Sequence, residues 1–151
     1  MTDFNKLGFA FAGIKTNEFA IIDSAYKKTG KLEVITDIGF GLDESKRIIV
    51  IGVKFSFLKK EKQPFIILGV QANFEINKLG WESVYNKKEN TFIFPENLIT
   101  HLVVLTIGTI RGVLHAKTEG TQYNSYILPT INVADIIKSD VVFTKKGLQV
   151  S

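Results

Sequence analysis

Two histidines, His101 and His115, are the side chains of this sequence best suited to metal ligation or to moving a proton near neutral pH. Their spacing works against both. On one straight helix, a separation of fourteen residues puts them about 21 Å apart. They cannot share a metal within one chain, and the sequence has no cysteine to add a thiolate ligand or nucleophile. Gly39-Phe40-Gly41 is the first half of a dinucleotide fingerprint, but Glu44 stands where the third glycine belongs, and the context is a strand end. No serine sits in a G-x-S-x-G setting. The expectation is a protein without catalysis, cofactor or metal.

The element that carries both histidines is more telling. The stretch after Phe94-Pro95 predicts one long helix. Proline suits a helix start, Glu96 adds favourable negative charge to the first turn, and Lys117 and Gly120 mark the end. At 100° per residue its apolar side chains sweep about half the circumference, wider than the roughly 100° stripe of an ordinary amphipathic helix. Such a helix is expected to bury two sides, one on its own sheet and one on something else. The opposite strip holds His101, Gly108, Gly112 and His115, and with Val104, Leu105 and Arg111 it makes the candidate oligomer interface. Each mid-helix glycine costs about 0.8–1 kcal/mol relative to alanine. The return is either close approach of a second copy or room for a bulky residue of the same chain. A membrane dimer motif is not expected, because no uninterrupted apolar run reaches the roughly 18 residues of a spanning helix.

After Gly120 come Tyr123 and then Tyr126-Ile127-Leu128-Pro129-Thr130-Ile131, an apolar segment that Pro129 holds extended. Asn132, with Asp135 three residues on, predicts the N-cap of a short second helix containing Val133, Ile136 and Ile137. Upstream, four runs alternate with a period of two and predict antiparallel strands packed on one face: near 7–23, from Leu32 to Phe40, from Arg47 to Leu58, and from about Pro64 to Ile76. The fold class expected is α+β, a four-stranded antiparallel meander packed by the long helix and the short one. Residues 1–138 form a single domain in this reading, and 139–151 a C-terminal tail. The stretch from Asn77 to Thr91 is open between a binding loop and a lid whose Trp81 and Tyr85 cap the core.

This arrangement resembles the SecB-like protein-export chaperones over roughly residues 7–138. The residues that carry the likeness are Phe94-Pro95, Gly120-Thr121, Leu128-Pro129 and Val133-Ala134-Asp135-Ile136-Ile137, in that order, behind four strands. The resemblance implies a holdase that grips unfolded polypeptides in apolar grooves and turns nothing over. It implies a homotetramer, a dimer of dimers, with the Gly108 strip in the interface. The candidate client-binding residues are Phe19, Tyr26, Phe40, Tyr123, Tyr126, Leu128, Ile131, Val133, Ile136 and Ile137; many apolar residues at such spacings are core instead.

Charge departs from that family. Its export chaperones are acidic and reach the SecA motor through a negative surface, whereas this chain carries a formal charge of +4. Fold and assembly therefore carry over better than SecA-dependent protein transport. A chaperone for one dedicated client, as in toxin–antitoxin systems, and a repurposed interaction module are the alternatives. Lys27, Lys28 and Lys31 at one turn and Lys59, Lys60 and Lys62 at another could neutralise phosphates. However, turn lysines are ordinarily just solvated, and no aromatic-glycine motif for stacking bases accompanies them. The N-terminus lacks a basic region followed by an apolar core, so the expected location is cytoplasmic.

Overall fold

The computed structural model describes residues 7–59 and 62–144. Four long strands form the main sheet: β1 (Phe9–Ile21), β2 (Glu33–Asp43), β3 (Ile48–Leu58) and β4 (Ile66–Ile76). All pairings are antiparallel, in the order β1-β4-β3-β2. The meander expected from the sequence therefore holds for β2, β3 and β4, while β1 lies at the opposite edge, beside β4. The segment between Ile21 and Glu33 must cross the end of the sheet, roughly 14 Å for three strand spacings. It is tied down on the way, where the Ile22 amide donates to the Phe65 carbonyl at 2.9 Å. Register shifts between Phe11 and Gly13 and between Thr16 and Glu18 bend β1, near the interruption that Gly13 suggests.

The period of two decides which face is dry. Ile49, Ile51, Val53, Phe55 and Phe57 of β3 and Ile66, Leu68, Val70, Ala72, Phe74 and Ile76 of β4 are buried. Their neighbours Gly52, Lys54, Gln71 and Asn73 lie on the other face, with Lys54 paired to Glu18 at 3.2 Å. Gly39-Phe40-Gly41 falls inside the extended β2, so it forms no strand-to-helix phosphate loop.

Helix α1 (Lys78–Val84) and a small sheet of β5 (Tyr85–Asn86), β6 (Thr91–Phe94) and β7 (Val141–Thr144) occupy stretches that the sequence left open or assigned to a tail. Trp81 is buried with its ring 4.9 Å from that of Phe92 and 6.1 Å from that of Phe94. Of the two readings of the 77–91 stretch, the structure favours the lid for Trp81. Asn77 caps α1, its side-chain oxygen accepting from the Gly80 amide at 3.1 Å and from the Gly8 amide at 2.9 Å.

The long helix α2 (Glu96–Thr118) packs on β3 and β4 through Leu98, Ile99, Leu102, Val103, Thr106, Ile107, Ile110 and Leu114. By length and composition alone it could cross a membrane, although polar residues break its apolar run; here its buried side meets the sheet. Gly120, at φ +80°, ends it in the left-handed conformation. Pro95 occupies the cap position and offers no side-chain acceptor; the Asp140 carboxylate takes the Glu96 amide instead, at 2.8 Å. The strand β7, paired to β6 just before the helix, holds that carboxylate in place. Asp140→Ala is expected to cost about 0.5–2 kcal/mol, the usual range for a lost N-cap, read as a lower urea midpoint with an unchanged slope.

The expected second helix is a single 3-10 turn, Val133–Asp135. Asn132 makes no side-chain capping bond there, and a helix this short has too few internal bonds to sustain itself. Lys60 and the residues beyond 144 lie outside the described residues.

Candidate functional site

The C-terminal half of α2 and the chain that folds back along it enclose a trench of about 390 Å³. Gly108 and Gly112 form its floor, with Leu114 and His115 farther along the helix. A Cβ added at either glycine would meet nothing within 4 Å. The glycines therefore do not make room for a bulky residue of the same chain; they leave an open channel.

The far wall is Asn124, Tyr126 and Ile127. It begins within a short turn, Gln122–Ser125, opened by Thr121, whose hydroxyl accepts from the Tyr123 amide at 3.2 Å. Two side chains tie wall to helix. Asn124 donates to the His115 carbonyl at 3.1 Å and to the Thr118 hydroxyl at 3.2 Å. Arg111 donates to the Pro129 carbonyl at 3.3 Å and to the Leu128 carbonyl at 3.5 Å. These bonds fix the wall beside the helix.

Beneath the wall lies an aromatic cluster. The rings of Tyr26 and Phe65 lie 5.0 Å apart, and each lies within 5.0–6.2 Å of those of Tyr123 and Tyr126. The Tyr26 and Tyr126 hydroxyls share a hydrogen bond at 2.9 Å, and the Tyr123 hydroxyl donates to Asp23. The bond to Tyr126, then burial, raises the Tyr26 phenol above its ordinary value. Burial, then the Asp23 carboxylate, pushes Tyr123 up to about 12. A phenol that ionises near 10 in the unfolded chain and later in the folded one contributes stability below pH 10 that is lost as pH rises towards 12. Chemical denaturation between pH 9 and about 12 should show that decline, and Tyr123→Phe should flatten it.

The sequence-derived residues divide three ways. Tyr126, Gly108, Arg111, Gly112 and His115 line the trench together, so residues assigned to client binding and to assembly share one channel. Tyr123, Leu128, Val133 and Ile137 are buried, so no client can reach them without local unfolding. Phe19, Phe40 and Ile131 are half-buried against the core, and Ile136 is exposed, all outside the trench lining. On α2, His101 packs edge-on to Phe9 at 5.5 Å, Leu105 is half-buried and Val104 is 48% exposed. His115 pairs with Glu119 at 3.2 Å. Among the described residues no group of three His, Asp or Glu is placed to hold a metal.

Ile127, 66% exposed on the trench wall, was missed as a candidate. Tyr126 and Leu128, the candidates from the sequence, lie on either side of it. Leu128 points inward instead, and Ile127 takes the open side.

No protein-family model matches the chain, and no curated protein does. Among solved structures the chain is similar to the SecB-like chaperone Rv1957 of Mycobacterium tuberculosis, determined in complex with a ChAD peptide from the Rv1956 HigA1 antitoxin. That likeness has 12% identity over 82% of this chain and 90% of that chain, with a TM-score of 0.48. A protein of unknown function from Streptococcus agalactiae matches at 15% identity over 82% of this chain and 98% of that one, with a TM-score of 0.26.

Proposed function

We propose that this protein is a holdase-type chaperone that receives an unfolded polypeptide in the trench between α2 and residues 124–127. The observation that carries this reading is the floor. Two glycines in the middle of a helix cost about 1.6–2 kcal/mol together relative to alanine, and no neighbour in the chain uses the space they leave. A backbone can lie close against such a floor while its side chains meet Ile127 and Tyr126. An open apolar channel with few directional partners suits a ligand of variable sequence. The SecB-like arrangement of the sequence points the same way, and the reading needs no catalysis.

Assembly into a homo-oligomer, a dimer of dimers by the same resemblance, is the second part of the reading. Val104 on α2 and Phe11 and Ile14 on the edge strand β1 remain exposed and could meet sister copies. Native mass measurement tests this directly.

The test of the holdase is suppression of aggregation of a chemically denatured substrate. The protein should suppress it at stoichiometric amounts. Ile127→Asp, at an exposed position, should abolish suppression while leaving thermal stability within about 0.5 kcal/mol. Equal suppression by wild type and variant would remove the trench from the reading.

A further inference from the structure

We infer that the trench selects polypeptide segments in which acidic residues alternate with apolar ones. The inference rests on the holdase reading and names the class of client.

The argument is one of charge. The trench lining contains the Arg111 guanidinium and the His115 imidazole and no carboxylate. Arg111 spends its described bonds on backbone carbonyls, so its positive charge is not neutralised by them. Lys59 stands over the Tyr126 ring at 5.5 Å and also donates to the Gly30 carbonyl at 3.2 Å. That bond joins the β3–β4 turn to the crossing segment, which brings Lys27, Lys28 and Lys31 to the same end of the sheet. Lys117, at the end of α2, reaches the Phe19 ring at 5.6 Å. The carboxylates of that end, Asp23, Glu33 and Glu119, are outnumbered by Arg111, Lys27, Lys28, Lys31, Lys59 and Lys117. An apolar channel leading to a basic rim complements a segment whose apolar side chains enter the trench and whose carboxylates meet Arg111 and Lys59.

A nucleic acid would also meet positive charge, but it needs open aromatic faces. Tyr26 and Tyr126 stand edge to face at 86°, half-buried, with their hydroxyls bonded to each other. Such a pair offers a wall for side chains, not a platform for bases.

The test uses the full-length protein and three fluorescent peptides of equal length, alternating leucine and phenylalanine with aspartate, glutamine or lysine. Anisotropy at low salt should rank aspartate tightest and lysine weakest. About a tenfold spread is expected, as two exposed ion pairs would give. The spread should shrink in about 0.5 M salt and narrow in Lys59→Gln and Lys28→Gln, which remove charge at a half-buried and an exposed position. Equal affinities, a preference for the lysine peptide, or better competition by single-stranded DNA than by the aspartate peptide would overturn the inference and leave the holdase standing. If no peptide binds, and Gly112→Leu instead splits an oligomer, the trench belongs to a second copy and both readings fall.

Discussion

Gly112→Leu should yield a protein that is more stable and functionally empty. Leucine is a strong helix former, and replacing glycine in a helix interior gains about 0.8 kcal/mol. The added Cβ has nothing within 4 Å to strike, so no strain offsets that gain. The side chain would instead occupy the floor of a channel of only about 390 Å³. Aggregation suppression should fall to the level of an inert protein while the urea midpoint rises. This separates the account from any in which α2 matters only for folding, because a folding role predicts stability and activity moving together. Gly112→Ala, with a single methyl, should keep the gain in stability and much of the suppression.

The second large effect runs the other way. Phe65 is fully buried, and its ring packs on Tyr26, Phe57, Tyr123 and Tyr126. Phe65→Ala removes the common neighbour of the cluster that supports the trench wall. A buried phenylalanine truncated to alanine costs about 3–5 kcal/mol. The loss should not be uniform. Near-ultraviolet circular dichroism of the tyrosines should collapse, and residues 122–128 should exchange amide hydrogens faster than β3 and β4. Client binding should weaken even under conditions where the variant remains folded, since Tyr126 loses the surface that orients it. Uniform destabilisation with unchanged binding would show that the wall does not depend on the cluster.

Much of this architecture was legible in the sequence, for identifiable reasons. Strands β3 and β4 are buried on one face, so their alternation had to appear in the residues, and Ile49 to Phe57 and Ile66 to Ile76 declare it. The long helix declared itself through its proline start, its glycine stop and an apolar sweep that matches the buried side. The position of β1 was not legible. Its alternation says that it is a strand, but its partner is chosen by a segment free to turn back or to cross. The bond from Ile22 to Phe65 that marks the crossing is made by backbone. The second helix was over-read because Asn132 and Asp135 carry the residue types of a cap, while a cap without several turns behind it has nothing to stabilise.

Strand β7 was there to be seen in Val141-Val142-Phe143-Thr144, β-branched and aromatic throughout, but proximity to the chain end drew it into a tail. The candidate site was half legible for a related reason. The Gly108–Gly112 spacing pointed to close approach, by a second copy or by a bulky residue of the same chain, and not to the open channel found there. Which side of the extended segment faces it depends on the aromatic cluster, whose members lie up to a hundred residues apart. Parity in an extended chain is set by such packing, and Ile127 was lost to that ambiguity.

The central claim is that unfolded chains lie in the trench, and photocrosslinking tests it most directly. A photoreactive amino acid would replace Ile127 on the wall or, as a control of matched exposure, Leu79 on α1, the two being 66% and 63% exposed. With a permanently unfolded, radiolabelled polypeptide, the account predicts strong crosslinking from position 127 and background from position 79. Equal crosslinking from both, or crosslinking from position 79 alone, would contradict it.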